Sequence, residues 1–277
     1  MRIDVLIPTY RRPAALAVTL TSLCAQEQAD LRLVISDQDE AANAIDAPEV
    51  QAATRVLRAH GIEVDWHKHL PRRGMAEQRQ FLLDEARAPW ALFLDDDVIL
   101  ERWAIGVLAS VLARERCGFT GMPLVGLSYA DDVREHEQDV AFWDGPVAPE
   151  DVRPGSPAWD RYRLHNAANA LHVQRRLRIT PASPRAYRIA WAGGCVLYDV
   201  AKLRACGGFE FWRELPDEHC GEDALAQLRV MRAYGGCGVL PSGAYHQELP
   251  TTLPNRGANA PQLLDLEHAG RAPAAVP

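Results

Sequence analysis

No run of 18 or more apolar residues occurs in the 277-residue chain, so the sequence predicts no membrane-spanning helix. Positive charge is also in deficit. The 30 Lys and Arg stand against 37 Asp and Glu, a net charge of −7, with no surplus to track a phosphate backbone. Nucleic acid is therefore not an expected partner, although a local basic cluster around a small phosphorylated ligand stays compatible. The six cysteines are scattered and none forms a CxxC pair, which argues against both zinc and a disulfide framework and for a reducing compartment. The opening "MRIDVLIPTY" carries one arginine and then a strand-like alternation, a layout unlike a signal peptide. Internal repeats are missing too. These absences predict a cytoplasmic protein with at most peripheral membrane contact. The 48% hydrophobic content suffices for one large domain or two joined halves.

What is present is an alternation. Short runs rich in branched apolar residues, "IDVLI" (3–7), "LRLVI" (31–35), "EVDW" (63–66) and "WALFL" (90–94), read as strands. Helical faces fall between them. Pro13 opens the first, with Leu16, Leu20 and Leu23; Val50, Ala53 and Leu57 mark the second, ended by Gly61; Met75, Leu82, Leu83 and Ala86 mark the third. Ile105, Leu108 and Leu112 follow. Strands alternating with helices predict parallel crossovers and an α/β sheet covered on both faces. Ligands of such sheets bind at the carboxyl ends of the strands, where "PTYRR", "SDQDE" and "DDDV" all lie. Residues 118–186 then lose periodicity, as a binding segment does. Order returns with "YRIAWAGGCVLYD" (187–199), read as one strand containing a glycine pair. Helices at 200–206 and 222–234 follow, and "RAPAAVP" reads as a frayed tail.

Three adjacent carboxylates, Asp95, Asp96 and Asp97, end the fourth strand, and so much charge side by side needs a cation. Hard oxygen ligands suit Mg²⁺ or Mn²⁺, which bind through one or two carboxylates plus substrate phosphates. Glu222 and Asp223 open a helix, where acidity is also ordinary. His246 follows the strand "GVL" and on its own reads as structural. Arg79 lies one turn beyond the Gly74 loop and is placed to clamp a diphosphate bidentately. Arg11, Arg12 and Arg72 read as plain surface charge.

The order of these pieces resembles the inverting glycosyltransferases of family 2. That resemblance rests on "IPTYRRP", "SD", "RRGMAEQR", "LFLDDDV", "WAGGCVLYDVAKLRACGGF", "GEDALAQLRV" and "YHQE", over residues 3–115 and 187–248. It implies the GT-A fold, a Rossmann-like mixed sheet with helices on both faces. Nucleotide-sugar-binding (1–115) and acceptor-binding, catalytic (116–250) halves would be fused in one domain, before a mobile lid and tail (251–277). It further implies Pro8, Thr9 and Tyr10 beside the nucleotide, Asp37 reading the base, and Arg79 near the phosphates. Asp97 and His246 would hold Mn²⁺ or Mg²⁺, Asp95 or Asp96 the ribose or metal waters, and Gly193 and Gly194 would line the sugar pocket beside Glu222. Asp223 would be the base, a weak one if its pKa is the ordinary ~4. Gln80 departs from the family's Asn.

The expected activity is metal-dependent, inverting transfer from a UDP- or GDP-type sugar donor to a hydroxyl acceptor, a glycan, glycolipid or small molecule. The alternative is a metal-dependent nucleotidyltransferase or phosphohydrolase acting on a sugar nucleotide, since strand-end aspartates serve those too. A non-catalytic nucleotide- or glycan-binding module would bind without turnover.

Overall fold

A computed structural model describes residues 2–253 and 255–266. The chain runs β1 (Arg2–Thr9), α1 (Pro13–Leu23), β2 (Asp30–Asp37), α2 (Pro48–Ala59), β3 (Glu63–Lys68), α3 (Met75–Asp84) and β4 (Trp90–Leu94). It continues with β5 (Val98–Leu100), α4 (Ala104–Glu115), β6 (Phe119–Gly121), α5 (Asn169–Arg176), β7 (Arg185–Tyr187) and β8 (Cys195–Asp199). Then come α6 (Val200–Ala205), α7 (Glu222–Tyr234), β9 (Cys237–Leu240), β10 (Ala244–His246) and α8 (Ala260–Leu263).

Eight strands form one sheet in the order β3-β2-β1-β4-β8-β6-β9-β7, and β10 with β5 forms a separate ribbon. The first four strands pair in parallel, as the βα alternation predicts. β8 runs antiparallel to both β4 and β6, so the sheet is mixed. Alternation along β1 distributes the core. Ile3, Val5 and Ile7 pack with Leu16, Leu20, Leu57 and Leu108 on one face. Leu6 packs with Leu82 and Leu83 of α3 and Leu225 and Leu228 of α7 on the other.

Local rules place the helix ends. Pro13 and Pro48 occupy the first turns of α1 and α2, where a missing N–H costs nothing. Asp199 caps α6 by accepting from the Lys202 N–H at 3.1 Å. The stretch 187–199 is not the single strand its pattern predicts. β7 and β8 lie on different neighbours, because Gly194 sits at φ +69°, which a continuous strand cannot accommodate. The aperiodic stretch is built of short 3₁₀ turns and α5, with β6 before them and β7 after.

At the amino ends of the strands lies a buried charge network. Arg32, fully inaccessible, reaches Asp4 at 3.3 Å and Asp65 at 2.6 Å. Asp4 also accepts the Ala88 N–H at 2.8 Å.

Candidate active site

A crevice of about 300 Å³ opens at the carboxyl ends of β1 and β4. It gathers Pro8, Thr9, Tyr10, Arg79, Asp95, Asp96, Asp97, Glu222, Asp223 and His246, which lie far apart in sequence. The parallel register of β1 and β4 brings Thr9 beside the aspartates, and α7 delivers Glu222 and Asp223 from the other face.

The three aspartates part company. Asp95 receives Arg79 Nη2 at 3.0 Å and keeps about a third of its side chain exposed. Asp96 turns inward and accepts the Thr9 hydroxyl at 2.7 Å, while its backbone carbonyl accepts Thr19 at 2.8 Å. Burial pushes the Asp96 carboxyl up to about 7, with Asp97 and Asp95 adding to the rise against Thr9 and Arg12. Asp97 meets Arg12 Nη1 at 2.7 Å and His246 Nε2 at 3.4 Å. Burial raises its pKa as well, opposed by His246.

Arg12 corrects the surface reading of the arginines. Its side chain is 16% exposed, and beyond Asp97 it donates to the Pro250 carbonyl. The sequence signal was its place in the β1–α1 loop, at the strand end where ligands sit. Arg72 is not free surface charge either, since its guanidinium lies 4.2 Å from the Tyr10 ring centroid. Arg11 stays exposed and pairs with Asp39 and Glu40.

Asp223 lies in the crevice at the first turn of α7, with its Oδ1 accepting the Ala224 N–H at 2.7 Å. Burial, then Glu222 and Asp95, push it up to about 7 against the pull of Arg79. An ordinary pKa near ~4 is thus displaced toward the range where a carboxylate works best as a base at neutral pH. Gly193 is close, since a Cβ there would stand 3.7 Å from Asp223 Oδ2. The Gly194 carbonyl accepts the Asp95 N–H at 2.9 Å. A Cβ on Gly194 would stand 2.6 Å from Leu124 Cδ1 and 3.0 Å from Asp95 Oδ2, so only glycine fits.

Asp37 is placed differently from the rest. Its oxygens accept the Asp39 and Ala44 N–H groups at 2.9 and 2.8 Å and pair with Lys68, so it holds the 38–44 loop and faces a neighbouring cavity. Gln80 is a bracket outside the crevice, bonding Asp84 and the Phe209 N–H at 2.8 Å each.

The segment expected as a lid supplies further lining residues, though the sequence reading named none of them singly. Leu249, Thr251, Thr252, Leu253 and Arg256 strap the crevice. Further anchors hold the segment where few were expected. Cys220 exchanges backbone bonds with Ala258 and Ala260 at 2.9 Å, and Glu248 takes the Ser128 N–H at 3.1 Å. The expected frayed tail, 271–277, lies outside the described residues.

Among the described residues no three His, Cys, Asp or Glu side chains converge in a metal cage. Asp97 and His246 nevertheless converge on one point, and two protein ligands completed by phosphate oxygens suit Mg²⁺ or Mn²⁺. The Asp97 oxygen that faces His246 is the one that Arg12 also meets. The His246 ring accepts the Glu248 N–H on Nδ1 at 2.8 Å, so Nε2 carries the proton and must release it to ligate.

Comparison with known proteins supplies the rest. The family model described as Glycosyl transferase family 2 matches residues 4–146, about half of the chain. A search of curated proteins finds no match. Among solved structures, S. aureus TarS 1–349 in complex with UDP-GlcNAc superposes with TM-score 0.56 at 14% identity, over 91% of this chain and 60% of that one. The mannosyltransferase PcManGT from Pyrobaculum calidifontis, in complex with GDP-Man and Mn²⁺, gives 0.51 at 15% identity over 91% and 58%. S. aureus TarS gives 0.54 at 16% over 89% of this chain and 36% of its own length. The chain thus spans between about a third and three fifths of these proteins. At such identities the likeness speaks for the fold alone, the mixed-sheet GT-A fold.

Proposed function

The chain belongs to glycosyl transferase family 2, and on that premise we propose that it transfers a sugar from a nucleoside-diphosphate donor to a hydroxyl acceptor with inversion. The observation that carries the reading is Asp223, a carboxylate of pKa about 7 facing the same crevice as Asp95 and Asp97. The family match over residues 4–146 ranks this reading above a nucleotidyltransferase or phosphohydrolase, which would also use a general base.

Thr9 and Tyr10 would border the nucleoside, and residues 1–115 would form the donor half. Asp97, with His246 after its proton shift, would hold a divalent cation. That cation, when bound, supplies positive charge to the departing diphosphate. Arg12 and Arg256 add cationic side chains on the same wall. Residues 116–250 would present the acceptor. Its oxygen attacks the anomeric carbon, its proton passes to an Asp223 oxygen, and the bond to the diphosphate breaks. One displacement inverts the configuration once. Segment 249–253 would shield the donor from water. Asp37, with both oxygens engaged, would act on the base only through the loop it shapes.

The test is direct. UDP, GDP, CDP and dTDP are screened for thermal stabilisation with and without Mn²⁺, since a bound nucleotide stabilises by mass action. The matching nucleotide sugars are then offered with acceptors, and the product anomer is read by NMR. No nucleotide shift, or retention of configuration, would overturn the proposal.

A further inference from the structure

We infer that Arg79 is a positioning residue that joins the strand-end aspartates to the base-bearing helix, and that it is not a ligand of the diphosphate. The inference rests on the reading of Asp223 as base. Arg79 stands on α3 and is 4% exposed. Its Nε donates to Glu222 Oε1 at 3.0 Å and its Nη2 donates to Asp95 Oδ1 at 3.0 Å. Two of the three guanidinium nitrogens are therefore committed to protein carboxylates, in a fork that only Arg can make. The guanidinium lies 5.8 Å from the Phe93 ring centroid, which restricts its movement.

This geometry does what a phosphate clamp would not. Asp95 closes β4 and bonds back to Gly194, while Glu222 is the residue before Asp223 on α7. One side chain thus spans two elements that no backbone ladder joins, and it sets the separation between the donor wall and the base. Its charge also acts on Asp223. The groups facing that carboxyl are Glu222 on its own helix, Arg79 on α3, Asp95 after β4 and Tyr198 on β8. Arg79 is the single cation among them and holds the Asp223 proton affinity below what burial and two carboxylates would give. A binding group must be free to meet its ligand, whereas removing Arg79 from this bridge would leave Glu222 buried without its partner.

Arg79→Lys and Arg79→Gln are compared with the parent. Affinities for UMP, UDP, GMP and GDP with Mn²⁺ are measured by calorimetry, and sugar transfer is followed as kcat, KM and pH profile. For the Lys variant the expected result is a fall in kcat of about 10²-fold, because one ammonium cannot span both carboxylates. Its diphosphate-to-monophosphate affinity ratio should stay within about threefold of the parent. In the Gln variant the acid limb of kcat/KM moves to higher pH; in the Lys variant, which keeps the charge, it stays in place. A tenfold or greater loss of diphosphate affinity with monophosphate affinity intact would show a phosphate clamp and overturn the inference. Unchanged kcat with an unmoved acid limb would overturn it equally. Should the Gln variant fail to fold, the Lys variant decides through the affinity ratio and kcat. If the parent binds nucleotide and transfers no sugar, the proposed function fails, and the affinity ratio still decides whether Arg79 holds phosphate.

Discussion

A carboxylate that keeps its proton up to about pH 7 is a base only above that pH, and Asp223 is such a group. The expected kcat/KM therefore rises with pH through about 7, since the free enzyme must carry the ionised form. A profile flat from pH 5 to 8 would contradict it. Asp223→Asn keeps the shape and an oxygen for the Ala224 N–H but accepts no proton. Transfer should fall by roughly 10²–10⁴ while nucleotide affinity holds, as single-turnover assays and calorimetry can check. At this scale the sequence was legible where type and order coincide, as with the aspartates and the Glu-Asp pair. For Arg12 it offered position in the β1–α1 loop and nothing to separate it from Arg11. Two adjacent arginines in a loop look alike until the backbone turns one toward Asp97 and the other toward Asp39.

Elements show the same division. The amphipathic and branched runs announced β1 to β4 and the helices between them, because burial on one face imposes a period. The glycine pair announced a close approach and hid a break. Gly194 combines φ +69° with a Cβ position 2.6 Å from Leu124, so Gly194→Ala should cost about 1–3 kcal/mol and displace Asp95. Urea unfolding of the variant reads the first effect and nucleotide affinity the second. The strap makes its own prediction. Glu248, the Pro250 carbonyl on Arg12, and Ala258 and Ala260 on Cys220 anchor it, with Leu249, Thr251, Thr252 and Leu253 across the crevice. Proteolysis within 250–262 should slow when nucleotide and Mn²⁺ are added, and unchanged cutting rates would count against closure.

Across the whole molecule, chemistry and stability gather at opposite ends of the sheet. The Arg32 network occupies the amino ends of the strands, away from the crevice, with Arg32 and Asp4 fully buried. Arg32→Met leaves Asp4 buried without its cation and should cost about 3–5 kcal/mol, with nucleotide affinity unchanged in the surviving fold. At the carboxyl ends the balance is reversed. Asp96 and Asp223 have folded pKa values near 7, above their ordinary value of 3.8. The folded state binds more protons than the unfolded one between those limits, so stability falls as pH rises from about 4 to 7. The thermal midpoint without added metal should drop over the same window in which activity rises. This opposition is not legible in the sequence, because it depends on how deeply each carboxylate is set.

The β5–β10 ribbon has a consequence for synthesis. Its strands pair His246 with Val98 and Ala244 with Leu100, across more than half the chain. A ribosome releases the aspartates well before the strand that seats His246. Any translation product cut short before residue 222 has the three aspartates without Asp223, and one cut before 244 has no partner for β5. A chain cut before 244 therefore leaves β5 an open strand edge beside the three aspartates, available to pair with another chain.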